Sequence, residues 1–148
     1  MLDRYTDYGP NMNALYSTKD NHIGYVAIGS VPVRRNPESG NFVKDGSTIK
    51  SDWIALIQQK AKLSLHDPIK GYIVTANNKP VSSKYQNGIY ETSAYTARAN
   101  RIDQIIVESI NKGHKLTIDD MKKMQLDTVD ALCQSTLPYL LRAVPHAR

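Results

Sequence analysis

Cysteine is almost missing from this chain: Cys133 is the only one in 148 residues. An internal disulfide and a cysteine-rich zinc site are therefore excluded. Long apolar runs are missing too. No stretch approaches the roughly 18 residues that a membrane-spanning helix needs. The opening Met1-Leu2-Asp3-Arg4-Tyr5-Thr6-Asp7 has no apolar signal core. The residues thus show no signal peptide and no transmembrane segment, and leave the compartment open. Histidine is sparse, and His22, His66, His114 and His146 are spread through loops and ends. None has a partner at a metal-ligand spacing such as i, i+4, so the expectation is surface histidines and no metal site. No nucleophile stands beside a base in the sequence.

What is present is a basic, moderately apolar chain. The net charge is +5, with 41% apolar and 22% charged residues. That composition fits a folded domain rather than a disordered segment. Nucleic-acid binding would need the basic residues gathered into a stripe. Here Lys60, Lys62, Lys70 and Lys79 lie among apolar residues, and Lys122-Lys123 follow Asp119-Asp120. Neither nucleic acid nor membrane is expected as a partner.

Strands come first along the chain. Ile23-Gly24-Tyr25-Val26-Ala27-Ile28-Gly29 is apolar on both faces, which suits a strand between two layers. Val31-Pro32-Val33-Arg34-Arg35 reads as its extension, with Pro32 at an edge or bend. Residues 36–50 read as a polar loop, with room for a small hairpin. The run from Asp52 to Ile57 fits a strand or a helical turn equally. Gly71 to Ala76 is predicted as the clearest strand, ending on Asn77 and Asn78.

The period then changes. From about Ser93 to Asn111, Ala94, Ala97, Ile102, Ile105, Ile106 and Ile110 recur at helical spacing, and Gly113 reads as the stop. Thr117, with Asp119 and Asp120 behind it, predicts a second helix start. An apolar stripe then continues to Leu141 and includes Cys133, expected as a buried structural thiol. Pro138 is expected to kink or end that helix. The expected architecture is α+β: a strand-rich part over residues 20–78 and a helical hairpin over 93–141, forming a single partial domain across 1–148.

The candidate chemistry lies in Asn77, Asn78, Arg98 and Arg101. An amide NH2 donates hydrogen bonds and never loses a proton, so an amide held at the end of a strand can stabilise an anionic oxygen. A guanidinium can orient such an amide and add positive potential. Arg98 and Arg101 are three residues apart on one helix and are surface neighbours. Taken without any relative, the same residues also fit a turn with surface arginines on a non-enzymatic basic interaction module.

The residues resemble the penicillin acylases (penicillin amidases) of the N-terminal nucleophile hydrolase superfamily. The resemblance runs through Asp20-Asn21-His22-Ile23-Gly24-Tyr25, Pro32-Val33-Arg34, Asp45-Gly46 and Trp53. It continues through Asp67-Pro68, Gly71-Tyr72-Ile73-Val74-Thr75-Ala76-Asn77-Asn78 and Arg98-Ala99-Asn100-Arg101-Ile102, and ends on Thr117 to Met121, Gln125 and Asp127. It implies part of a four-layer αββα sandwich and hydrolysis of linear amides, including the acyl side chains of β-lactams and acyl-homoserine lactones. It implies an N-terminal serine nucleophile whose own α-amine is the base. It implies an asparagine side chain and a backbone N–H holding the oxyanion. Asn77 matches that asparagine, and Arg101 matches an active-site arginine that supports it.

No segment here matches the family's serine-containing start. The resemblance is therefore to an interior fragment of the catalytic subunit, close to inactive alone. Its partners would be the remaining segments of the acylase fold and a small-molecule amide substrate. No redox cofactor is implied and none is identifiable; the family's calcium ligands cannot be placed, and none aligns at Gly88-Ile89-Tyr90-Glu91.

Overall fold

The computed structural model describes residues 11–35, 42–79 and 96–144. They form two compact units, one over the strand-rich part and one made of residues 76–78 with the helices. Each has its own small core.

In the first unit the doubly apolar segment is the central strand of a three-stranded antiparallel sheet. This strand, β2 (Ile23–Ile28), lies between β1 (Met12–Ser17) and β5 (Ser64–His66). Met12 stands opposite Ile28, and Ser17 opposite Ile23. The β1–β2 connection closes through Thr18 N–H to the His22 carbonyl at 2.9 Å, with Asn21 left-handed at φ 64°. Asparagine tolerates that conformation because its short polar side chain bonds locally. On the other edge Gly24 pairs with His66 and Tyr25 with Leu65. Tyr25 is buried, its hydroxyl donates to Asn13 Oδ1 at 2.6 Å, and burial raises its pKa. Both β1 and β5 escape the sequence pattern, since short strands with alternating or polar faces look like loop.

A second, two-stranded sheet joins β3 (Pro32–Arg34) to β4 (Trp53–Leu56). The strand-or-turn ambiguity at 52–57 thus resolves as strand. Residues 32–34 are not an extension of β2, because they pair in a different sheet. Pro32 is accommodated because a two-stranded sheet consists only of edges. The expected hairpin in 36–50 falls partly outside the described residues; within 42–50 there is loop and the start of a 3-10 turn, Ile49–Ser51.

Residues 71–76 do not form the expected strand. A turn closed by Gly71 N–H on the Pro68 carbonyl, with Gly71 at φ 75°, leads into a half-buried run without ladder bonds. Alternation creates suitable faces, but a strand also needs an adjacent backbone edge, and none pairs with it among the described residues.

The described residues of the second unit hold three helices, not two. α1 (Ala97–Asn111) buries Ala99 and Ile106 and half-buries Ile102 and Ile105. It ends as Gly113 predicts. Gly113 is left-handed at φ 68°, its N–H bonds the Ile110 carbonyl, and His114 N–H bonds the Ser109 carbonyl. These two bonds form a Schellman stop. α2 (Ile118–Gln125) starts with a full capping box between Thr117 and Asp120.

The predicted second helix breaks after Leu126. Asp127 Oδ1 accepts from Val129 N–H, and Asp130 caps a new helix, α3 (Ala131–Ala143), by accepting from Leu132 and Cys133 N–H. Aspartates competing for backbone donors explain the break inside an unbroken apolar stripe. Pro138 lies inside α3 and does not end it.

Full burial is rare. Among the described residues the buried apolar side chains are Tyr25, Pro32, Ile57, Ala99 and Ile106. Trp53 is 61% exposed, Leu56 51%, Leu140 60% and Leu141 62%. No described helix is long and apolar enough to cross a membrane.

Candidate functional site

The site is built by the short run Ala76-Asn77-Asn78 and the first turn of α1. Asn78 Oδ1 accepts the Ala76 N–H at 2.9 Å, closing a side-chain-to-backbone turn. Within it Asn77 takes a left-handed φ of 62°. Asparagine is among the few residues enriched in that conformation. The two amides therefore divide the work: Asn78 closes the turn, and Asn77 is presented at its exposed tip.

Arg98 holds that tip. Its Nη2 donates to Asn77 Oδ1 at 2.5 Å and makes a longer contact of 3.5 Å with the Ala76 carbonyl. A guanidinium has no acceptor, so the atom facing it must be the amide oxygen. This settles which way the Asn77 amide points. Its NH2 group is turned from Arg98, and no acceptor among the described residues takes it. An amide fixed by its oxygen, with both N–H groups uncommitted among the described residues, can hydrogen-bond an anionic oxygen without first reorganising.

Among the described residues Arg101, which the resemblance matches to the supporting arginine, makes its direct hydrogen bonds elsewhere than to Asn77. Its Nε donates to Asp127 Oδ2 at 2.5 Å, and Nη1 donates to Gln104 Oε1 at 3.2 Å. The reason is position. Three residues further along α1, Arg101 meets the α2–α3 connection rather than the Asn77 turn. The pair is largely covered, at 23% and 18% side-chain exposure. The Arg101 bond, followed by the Val129 N–H, holds the Asp127 carboxyl below its usual range. Asp127 in turn raises the Arg101 pKa.

Arg98 and Arg101 both line an open cleft of about 470 Å³, whose apolar lining includes Ile102, Ile105, Met124 and Val129. Arg98 thus touches both the Asn77 amide and the cleft.

No described group supplies a nucleophile here. Cys133 is exposed, not buried as the apolar stripe suggests. Its Sγ donates to Asp130 Oδ2 at 3.3 Å, and that bond raises the thiol pKa, disfavouring the reactive thiolate. His114 bonds Asp120 in the cap of α2. His146 and residues 88–91 lie outside the described residues. The sequence reading missed the partnership of Arg98 with Asn77. Spacing marks both arginines as helix neighbours, but not which one faces the turn.

Two comparisons with known proteins bear on this arrangement. The family model described as Penicillin amidase matches residues 3–148. The thermostable penicillin G acylase from Alcaligenes faecalis is similar in structure, with a TM-score of 0.69 at 21% identity. That likeness covers 99% of this chain and 26% of the acylase chain, so this chain spans about a quarter of that protein's length.

Proposed function

The chain belongs to the penicillin amidase family, and from that premise we propose that it carries the oxyanion-stabilising part of a hydrolase for linear amides. Its α+β fold is similar to part of penicillin acylase, an N-terminal nucleophile hydrolase. In this reading the Asn77 Nδ2–H donates to the oxygen that becomes anionic when the amide carbonyl is attacked. Arg98 is the positioning residue: it fixes Oδ1 and places a permanent positive charge behind the amide. Arg101 keeps the α2–α3 connection against α1 through Asp127. The nucleophile, its base and the second oxyanion donor come from the rest of the acylase fold. The substrate is a small molecule with a linear acyl-amide bond.

The observation that carries the reading is the Arg98–Asn77 bond. It orients the one amide that the resemblance matches to the oxyanion asparagine. A turn serving only to reverse the chain would not need that orientation. The test is amide hydrolysis by these residues joined to the remaining segments of the acylase fold. Asn77→Ala is expected to lower kcat by about 10²–10³, with KM much less affected. Unchanged kcat would remove Asn77 from the mechanism.

A further inference from the structure

His22, His66 and Asp67 meet on the surface of the three-stranded sheet, although two of them lie 44 or more residues from the first in sequence. His22 Nδ1 is 2.6 Å from Asp67 Oδ2, and His66 Nε2 is 3.0 Å from the same oxygen. The three donor atoms all lie within 4.8 Å of one another. The two imidazoles stack with centroids 5.3 Å apart. We infer that this cluster is a binding site for a divalent transition-metal ion of the zinc type, clipping β2 to β5.

The donor set selects the ion. Two imidazole nitrogens and a carboxylate suit zinc, cobalt or nickel, whereas calcium and magnesium need mostly oxygen donors. Donors in a tetrahedral zinc set stand about 3.3 Å apart, given bonds of about 2.0–2.1 Å. The His22–Asp67 and His66–Asp67 spacings therefore need to open by less than about 1 Å. A water molecule would complete the fourth position.

The surroundings hold the ligands as metal ligands need to be held. Asp67 Oδ1 is occupied by the Ile23 N–H at 2.9 Å, which leaves Oδ2 for the ion. Asp67 itself is left-handed at φ 42°, fixed by its own N–H on the Ile23 carbonyl. His66 Nδ1 lies 2.9 Å from the Tyr16 hydroxyl. With Nε2 on the metal, Nδ1–H donates to Tyr16 and sets the ring's orientation, the usual outer support of a metal-bound histidine. Tyr16 can lie there only because residue 24 is glycine: a Cβ on Gly24 would stand 2.2–2.3 Å from the Tyr16 ring and hydroxyl.

The site also has a mechanical consequence. His22 immediately precedes β2, and His66 ends β5 opposite Gly24. β5 is joined to β2 over only three residue pairs, Gly24 with His66, Tyr25 with Leu65 and Val26 with Ser64. An ion held by both would tie the sheet together and stabilise it by mass action, shifting the folding equilibrium about 100-fold when free metal is 100 times its Kd.

The experiment is calorimetric titration of the chain fused to a soluble carrier without a histidine tag, with Zn2+, with Mg2+ as control and the carrier alone as blank. Zn2+ is expected to bind at one site per chain and Mg2+ not to compete. Asp67→Asn and His66→Gln should each weaken Zn2+ binding more than 10-fold. Tyr16→Phe keeps all three ligands and should weaken it about 10-fold through the lost outer bond. His114→Gln, in the helical unit, should leave it unchanged. Co2+ should give the visible spectrum of a low-coordinate nitrogen–oxygen site, lost in His22→Gln. Zn2+ affinity no greater than that for Mg2+, or equal in the parent and Asp67→Asn, overturns the inference and leaves Asp67 as a hydrogen-bond acceptor for two surface histidines.

Discussion

Arg98 donates through Nη2 to Asn77 Oδ1, and this bond decides the direction of the Asn77 amide. Arg101, one turn along α1, is bound instead to Asp127. The two arginines are neighbours on one helix, yet they have different partners and different consequences.

Removing them should therefore give different results in an assembled acylase. Arg98→Ala is expected to lower kcat by about 10-fold or more, because the Asn77 amide loses its orientation and the charge behind it. Arg98→Lys should recover only part of this, since an ammonium lacks the planar fork. Arg101→Ala should chiefly lower the unfolding midpoint and leave kcat close to that of the parent. Steady-state kinetics with thermal unfolding on the three variants checks the assignment. A larger kcat loss for Arg101→Ala than for Arg98→Ala would reverse it.

The 148-residue chain alone should not hydrolyse aryl-acyl amides or acyl-homoserine lactones above background. An oriented amide lowers the barrier only when a nucleophile attacks, and among the described residues no serine or cysteine is hydrogen-bonded to a histidine base. Chromogenic amide release measured over hours is sensitive enough. Turnover that disappears with Asn77→Ala would reveal a nucleophile within these residues.

Acid should weaken the helical unit through Asp127. Its folded pKa lies below the ordinary value of about 3.9. The contribution of the Arg101 pair is therefore complete above that ordinary value and is lost as pH falls through the folded pKa. Denaturant midpoints of helical circular dichroism from pH 7 to pH 3, on a soluble carrier fusion, give the measurement. Asp127→Asn should be less stable at pH 7 and show a shallower acid decline. Parallel curves for parent and variant would mean that the pair adds nothing.

The isolated chain should self-associate. Trp53, Leu56, Leu140 and Leu141 are all more than half exposed, and β4 is an edge strand in a two-stranded sheet. Apolar patches and open edges together favour intermolecular pairing despite a net charge of +5. Size-exclusion chromatography and binding of an apolar dye should show oligomers and dye uptake. A dye-silent monomer with one sharp unfolding transition would contradict this.

Local signals were legible in the sequence. The doubly apolar β2, the periodic α1, the Gly113 stop and the Thr117 start are encoded within a few residues of where they act. Their chemistry is backbone freedom, capping and one-sided apolar spacing. The motif from Gly71 to Asn78 with Arg98 to Ile102 also sufficed to mark the family.

What those residues could not state was pairing. Alternation at 71–76 promised a strand, but a strand needs an edge from elsewhere in the chain. The stripe from Met121 to Leu141 promised one helix, but Asp127 and Asp130 divert backbone donors and divide it. Arg98 and Arg101 are neighbours on a helical wheel, and the placement of the Asn77 turn and the α2–α3 connection gives them different partners. His22 and the His66–Asp67 pair look unrelated until the β2–β5 register brings them together. The sequence by itself determined local conformation and family. The tertiary structure alone decided which distant side chains share a hydrogen bond, because that depends on how the backbone elements cross and not on any spacing along them.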